Sequence, residues 1–143
     1  MSKRSIKRLI LNIFLVILLL NVGVLGYRLT QDPVDLVEIT LDKKSISPRE
    51  DLHIIVHNYG LKGVFYGGGE SIYRLYANDT IEHVKYPENV AWSLRYYTVY
   101  PLIGNARVNI YTDHLEPGNY LIKWDFKIRG IGEFYKILSF TVR

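Results

Sequence analysis

The chain has 143 residues, 48% of them apolar and 22% charged, which fits one globular domain with an appendage and excludes a disordered or low-complexity chain. It has no cysteine, which excludes a disulfide scaffold, a Cys-ligated zinc site and a thiol nucleophile. The formal charge is +4, but residues 1–28 hold five of the 18 Lys and Arg and none of the 14 Asp and Glu. Residues 29–143 are therefore nearly neutral, and the charge pattern does not indicate a nucleic-acid-binding surface.

The first 28 residues predict a membrane-targeting helix. Four Lys and Arg side chains between positions 3 and 8 precede the run Leu9–Tyr27, in which only Asn12 and Asn21 are polar. As a helix this run would span about 28 Å, close to the roughly 30 Å hydrocarbon core of a bilayer. Clustered cations before such a segment hold the N-terminus in the cytoplasm, so we expect the rest of the chain outside the cell membrane.

Two interpretations of this segment remain open. The whole run is long enough for an uncleaved single-pass anchor, whereas its uninterrupted part, Ile13–Leu20, is short enough for a signal peptide cleaved near Gly26. In the second case the domain is secreted. An exported chain without cysteine is typical of a prokaryotic envelope, because small exported animal domains usually carry disulfides. We predict residues 1–28 as a signal-anchor or signal peptide, 29–35 as a linker and 36–143 as one domain.

From Leu36 onward the pattern is that of an all-β domain. Short segments rich in Val, Ile, Tyr and Phe alternate with polar residues and are separated by Gly, Pro, Asn and Asp. On the longest predicted strand, one face consists of Tyr120, Ile122, Trp124, Phe126 and Ile128. On the last strand, Leu138, Phe140 and Val142 are predicted to face inward. Eight or nine such strands without an amphipathic helical stretch predict an antiparallel β-sandwich.

One motif near the C-terminus resembles a known structural device. The segment Leu115-x-Pro117-Gly118-x-Tyr120 resembles the tyrosine corner of immunoglobulin-like (Ig-like) and fibronectin-like sandwiches. In those domains the tyrosine hydroxyl bonds to the upstream backbone just before the penultimate strand. The resemblance implies an Ig-like fold and assigns the four residues a structural role.

The first part of the domain is similar to prokaryotic Ig-like domains of cell-surface and secreted proteins. The similarity lies in Ile39-x-Leu41-Asp42-Lys43-Lys44 with Ser47-Pro48, followed by the alternating strand Leu52–Asn58. Arg49 stands where such domains usually have glycine after the proline. The resemblance covers residues 36–143 and implies a binding or spacer module without catalytic residues.

Residue types that could support chemistry occur without a catalytic or metal-binding arrangement. His53 and His57 have a spacing that pairs ligands on a helix, but on a strand they lie about 13 Å apart, too far for one ion. The run Gly67–Gly69 lacks the Lys-Ser/Thr of a phosphate loop and reads as a hairpin or bulge. We therefore expect no enzyme activity, no cofactor and no metal. Asn78, in the sequon Asn78-Asp79-Thr80 at a predicted hairpin tip, is a possible glycosylation site.

The aromatic segment near residue 95 supplies the candidate ligand-binding residues. Its more apolar face, predicted to point inward, consists of Trp92, Leu94, Tyr96 and Tyr100. Arg95, Tyr97 and Val99 share the opposite face, so Arg95 and Tyr97 are predicted to be exposed. A tyrosine ring beside a guanidinium suits a peptide strand or a sugar.

These observations favour a non-catalytic, membrane-tethered Ig-like domain that binds an envelope protein or gives structural support at the envelope. The alternative is a carbohydrate-binding module whose exposed tyrosine rings stack on cell-wall or surface glycans. A small envelope enzyme is a third possibility, for which the sequence offers no constellation of residues. Nucleic acid is not an expected partner.

Overall fold

The computed structural model describes residues 3–67, 70–87, 97–102 and 104–143, and the chain divides into two compact units, residues 1–32 and 33–143. The first unit contains helix α1 (Lys3–Thr30), which continues past residue 28 into the predicted linker. The helix is long and apolar enough to cross a membrane, and a signal sequence satisfies the same criteria. Both interpretations of the N-terminal segment therefore fit this helix.

The second unit is all-β, and its described strands form two sheets. The strands are β1 (Val37–Leu41), β2 (Ser45–Ile46), β3 (Leu52–Asn58), β4 (Val64–Tyr66), β5 (Ser71–Leu75), β6 (Ile81–His83), β7 (Tyr97–Val99), β8 (Gly104–Ile110), β9 (Gly118–Ile128) and β10 (Gly132–Val142). The smaller sheet has the order β1-β3-β8. The larger sheet has the order β2-β10-β9-β4-β7, with β5 also paired to β9 and β6 paired to β5. The described pairs are antiparallel except β2 with β10, which is parallel.

The distribution of strands between the sheets is that of an Ig-like sandwich. In that fold the A, B and E strands share one sheet, and the C, F and G strands share the other. Here β1, β3 and β8 take the A, B and E positions. In the larger sheet, β4 and β5 together take the C position, β9 takes the F position and β10 takes the G position. The prediction of an Ig-like β-sandwich preceded by one apolar helix is therefore confirmed.

The core lies between the two sheets and follows the predicted alternation. The five residues predicted to line the inner face of β9, from Tyr120 to Ile128, are each at most 6% exposed. The smaller sheet contributes Ile39, Leu52, Ile54, Val56 and Ile110, and the last strand contributes Phe140 and Val142. Burying each such side chain stabilises the fold by about 1.5–3 kcal/mol, before the opposing entropy is counted.

A tight turn between β2 and β3 depends on an unusual residue. The Glu50 N–H donates to the Ser47 carbonyl oxygen over 3.0 Å, and Pro48 occupies the second position of the turn. Arg49, in the third position, has a φ of 66°, the left-handed conformation. A type II turn requires such an angle there and usually places glycine at this position. The departure from the family pattern noted at Arg49 thus lies at a conformationally demanding residue.

β4 and β5 pair with successive parts of β9, and their two ladders are separated by a break. β4 ends with Tyr66 opposite Phe126, and β5 begins with Ser71 opposite Lys123. Between these two pairs the chain advances from residue 66 to 71, while β9 advances only from 126 to 123. The predicted hairpin or bulge at Gly67–Gly69 falls largely on residues 68 and 69, which lie outside the described part of the chain.

Candidate functional site

The candidate site is the face of the larger sheet that points away from the smaller sheet. We call it the outer face and define its apolar part by Tyr73, Ile81, Leu121, Tyr135 and Ile137. The exposed fractions of Tyr135, Ile137 and Ile81 are 61%, 57% and 56%. Single exposed apolar residues are normal on protein surfaces, whereas several on one sheet face indicate a binding surface.

Strand register places these side chains next to one another. Leu121 of β9 lies directly opposite Tyr73 of β5, and Tyr73 lies opposite His83 of β6, with the two ring centroids 5.2 Å apart. Ile137 of β10 lies opposite Lys123, whose Nζ is 5.2 Å from the ring centroid of Tyr135. Directly opposed residues of antiparallel strands have neighbouring Cβ atoms, so Leu121 packs beside Tyr73, and Ile137 is a diagonal neighbour of Leu121. Lys123 and Asp125 lie opposite Ile137 and Tyr135, so charged residues of β9 border the apolar residues of β10.

A groove crosses the same face beside the break between β4 and β5. Its volume is about 460 Å³, and the outward side chains that line it are Phe65, Asp125, Lys127, Glu133 and Tyr135. Lys127 Nζ is 3.6 Å from a carboxylate oxygen of Glu133, so part of its charge is compensated within the groove. Aromatic side chains beside carboxylates can contact either a protein side chain or a sugar ring.

The outer face of the smaller sheet has a different character. The cross-strand rows on this face consist of Glu38, His57 and Asn105, then Thr40, Ile55 and Arg107, then Asp42, His53 and Asn109. The Asp42 carboxylate accepts hydrogen bonds from the His53 backbone N–H and from the Arg107 guanidinium, both over 2.9 Å, and its other contact is His53 Nδ1 at 2.9 Å. Burial alone would raise the pKa of Asp42, but these hydrogen bonds and the positive charge of Arg107 outweigh it, and the pKa is lowered. Asp42, His53 and Arg107 therefore satisfy one another at one end of this face.

The predicted ligand-binding pair is described only in part. Arg95 lies outside the described residues. Tyr97 belongs to β7 and is 49% exposed. It lies opposite Tyr66, whose ring centroid is 5.5 Å away and which itself packs 5.5 Å from Trp124. Tyr97 thus extends an aromatic stack from the core to the surface, on the inner side of the larger sheet.

The predicted orientations of Val99 and Tyr100 were wrong. Val99, placed on the exposed face, is 1% exposed, while Tyr100, placed on the inward face, is 73% exposed. The pairing of β7 with β4 sets Val99 opposite the buried Val64, which fixes the inward face. The sequence pattern failed because tyrosine is amphipathic, so a tyrosine-rich segment does not identify its buried side.

The predicted tyrosine-corner residues meet at the start of β9. The Tyr120 hydroxyl donates to the Glu116 carbonyl oxygen over 2.7 Å, which is the contact that characterises a tyrosine corner. Arg74, which the sequence pattern did not single out, bonds the Glu116 carboxylate at 2.9 Å and the Pro117 carbonyl oxygen at 3.0 Å. Leu115 is buried at 5% exposure, and β9 begins at Gly118. These residues stabilise the connection, and Arg74, Leu115, Glu116 and Tyr120 also line a groove of about 400 Å³.

Asn78 lies at the tip of the β5–β6 hairpin. The turn is closed by hydrogen bonds from Asp79 N–H to the Tyr76 carbonyl oxygen at 3.0 Å and from Tyr76 N–H to the Thr80 carbonyl oxygen at 2.9 Å. Asn78 and its neighbours in the turn are exposed, and the Asn78 side-chain oxygen accepts hydrogen bonds from the backbone and hydroxyl of Thr80. The sequon is therefore sterically accessible, and its modification stays a prediction.

A cluster formed by Glu70, Tyr86 and His114 lies partly buried in the domain and was not predicted from the sequence. The Tyr86 hydroxyl donates to the Glu70 carboxylate over 3.1 Å, and the Tyr86 ring packs 5.0 Å from the His114 ring. Burial raises the pKa of Glu70, and hydrogen bonds from its own backbone N–H and from Tyr86 only partly oppose that change. Burial also lowers the pKa of His114. The cluster thus favours neutral side chains, which suits a structural role.

Comparison with known proteins adds little to these assignments. No family model matches the chain, and no curated protein matches it. Among solved structures, the chain is similar to the ASH/PapD-like domain 7 of human CEP192, with 15% identity, a TM-score of 0.41, and coverage of 80% of this chain and 89% of that one. It is also similar to the Pseudomonas fluorescens alkylpurine DNA glycosylase AlkC bound to DNA, with 13% identity, a TM-score of 0.36, and coverage of 76% and 30%. Both similarities are low, and the fold assignment rests on the strand order described above.

Proposed function

We propose that the chain is a non-catalytic, membrane-tethered Ig-like domain that binds another protein through the apolar outer face of its larger sheet. The observation that carries this proposal is the contrast between the two outer faces. On the smaller sheet the charged side chains bond one another, whereas on the larger sheet Tyr135 and Ile137 are more than half exposed. Exposed aromatic and aliphatic side chains on a rigid sheet are the usual composition of a protein-binding patch.

The tethering part of the proposal is supported by helix α1 and its flanking charges. The helix is apolar over Ile6–Thr30, and the Lys and Arg residues before position 9 favour a cytoplasmic N-terminus. Residues 33–143 then lie outside the membrane. A tether confines the domain to two dimensions, which favours weak contacts with other membrane-associated proteins through a modest patch.

The experiment compares two double variants of the full chain in cells that express it natively. Tyr135→Ser with Ile137→Ser removes the apolar outer face, and Asn105→Ser with Arg107→Ser alters the opposite sheet as the matched control. Proteins that co-purify with each variant from solubilised membranes are quantified by mass spectrometry. We expect the first variant to lose a specific protein that the wild type and the control retain.

Two outcomes would contradict the proposal. Equal recovery of all co-purifying proteins by a folded outer-face variant would show that this face does not bind the partner. Glycan-array binding by the wild-type chain, lost on Phe65→Ala in the groove, would instead assign the face to carbohydrate recognition. Circular dichroism and urea unfolding establish that each variant is folded before binding is compared.

A further inference from the structure

One side of the last strand is available for backbone pairing. β10 extends over Gly132–Val142, and along its full length it pairs with β9. On its other side, among the described residues, it pairs only with β2, at Thr141 and Val142. Among the described residues, the segment from Glu133 to Ser139 therefore has no strand on this side, and we call it the free edge. A long edge strand is a template for pairing with another chain, and a lysine such as Lys136 on it disfavours partners that do not compensate its charge.

The direction of the backbone groups at this edge follows from the contacts of β2. Thr141 N–H donates to the Lys44 carbonyl oxygen over 3.0 Å, and Arg143 N–H donates to the Ile46 carbonyl oxygen over 2.9 Å. Backbone groups of a strand point to alternate sides, so Glu133, Tyr135 and Ile137 direct their N–H and C=O groups to the same side as Thr141. That side is the free edge, and the ladder with β9 uses the residues between them.

The side chains at the free edge indicate which residue types an added strand would carry. Tyr135 and Ile137 lie on the outer face, where an added strand would contribute apolar residues beside them. Between them Lys136 points to the opposite face, is exposed, and makes no ion pair among the described residues. A carboxylate on the added strand, opposite Lys136, would complement this charge.

We infer that the partner docks by adding an antiparallel strand to the free edge of β10, with alternating apolar residues and an acidic residue opposite Lys136. This inference rests on the proposed function and specifies the chemistry of its partner. A second copy of the chain fits less well. The register that sets Tyr135 against Ile137 of the second copy would place two Lys136 side chains directly opposite each other, in a pair with Cα atoms about 4.5 Å apart. Like charges so placed destabilise a strand pair.

The test measures peptide binding to the full chain in lipid nanodiscs by fluorescence anisotropy. The probe is the blocked, labelled peptide Ser-Thr-Val-Glu-Val-Thr-Ser, and its matched control has Lys in place of Glu. We expect the wild type to bind the Glu peptide about tenfold more tightly than the Lys peptide, and Lys136→Glu to reverse that order. Ile137→Pro removes a donor from the free edge without breaking the ladder with β9, so it should weaken binding about fivefold or more relative to Ile137→Thr, which changes the same outer-face side chain but keeps the backbone N–H.

The outcomes separate this inference from the proposed function. Absence of peptide binding, or an order unchanged by Lys136→Glu, would overturn the inference. Dimerisation of the wild type that is abolished by Ile137→Pro would overturn it in favour of a second copy. If partner co-purification is lost with the Tyr135 and Ile137 serine variant but persists with Lys136→Glu and Ile137→Pro, the outer face binds the partner without strand addition. If Ile137→Pro does not fold, the charge reversal at Lys136 decides alone.

Discussion

The Tyr120 hydroxyl and the Glu116 carbonyl oxygen are joined by a 2.7 Å hydrogen bond that spans the entry to β9. Tyr120 is 2% exposed, and its hydroxyl reaches back to a residue whose own side chain is exposed. β9 lies at the centre of the larger sheet and lines both the core and the outer face, and this contact secures the start of that strand.

Substituting Tyr120→Phe should lower the free energy of unfolding by about 0.5–1.5 kcal/mol, because the part-buried hydrogen bond from its hydroxyl is lost. The matched control is Tyr76→Phe, which removes an exposed 2.7 Å hydrogen bond to Glu82 and should cost less than about 0.5 kcal/mol. Urea unfolding followed by tryptophan fluorescence measures both. Equal costs for the two variants would show that the corner contributes no more than a surface contact.

The fold was largely predictable because its signals are local and repeated. Alternation from Tyr120 to Ile128 identifies a half-buried strand without knowledge of its neighbours, and the structure buries these alternate residues. The segment near Tyr100 was not predictable in this way, since tyrosines occupied both sides of the strand. There the buried side is set by pairing with β4, a contact between segments more than 30 positions apart in the chain.

Arg49→Gly should stabilise the domain by about 0.5–1 kcal/mol. Arg49 has a φ of 66°, a conformation that costs a non-glycine residue about 1–2 kcal/mol. Glycine removes this cost, but it also raises the entropy of the unfolded chain, which offsets part of the stabilisation. The control is Arg129→Gly, at a position without positive φ, where the substitution should be neutral or destabilising. The urea midpoint of each variant is compared with that of the wild type. A lower midpoint for Arg49→Gly would contradict the turn assignment.

Acid should weaken the contact between Asp42, His53 and Arg107. The pKa of Asp42 is lowered in the folded domain, so its contribution to stability is present above the ordinary carboxyl pKa of about 4 and is lost as the pH falls through the folded value. Asp42→Asn should therefore lower the urea midpoint at neutral pH, and the difference from wild type should shrink in strong acid. A difference that stays constant over this range would indicate that the charge of Asp42 does not contribute.

Glu70→Gln should have the opposite pH dependence. Burial raises the pKa of Glu70, so the folded domain favours the protonated acid, and stability is lost as the pH rises through that value. The amide keeps an acceptor for the Tyr86 hydroxyl and carries no charge. We expect the variant to be more stable than wild type at neutral pH and equally stable in acid. A destabilised variant at neutral pH would show that the carboxylate is required.

The candidate site was less predictable than the fold. Tyr135 and Ile137 alternate with Phe134, Lys136 and Leu138, so the sequence shows apolar residues on both sides of the last strand and gives no reason to treat one side as exposed. Exposure depends on which side the smaller sheet covers, and the free edge depends on how far β2 extends along β10. Both are properties of tertiary packing.

Site-specific photocrosslinking in intact cells tests whether the outer face of the larger sheet binds a protein partner. A photoreactive phenylalanine analogue replaces Tyr135 on the outer face of the larger sheet or, in the matched control, Arg107 on the outer face of the smaller sheet, where it is also exposed. We expect a discrete protein crosslink from position 135, formed outside the membrane, and none from position 107. Crosslinks of equal yield from both positions, or from position 107 alone, would contradict it.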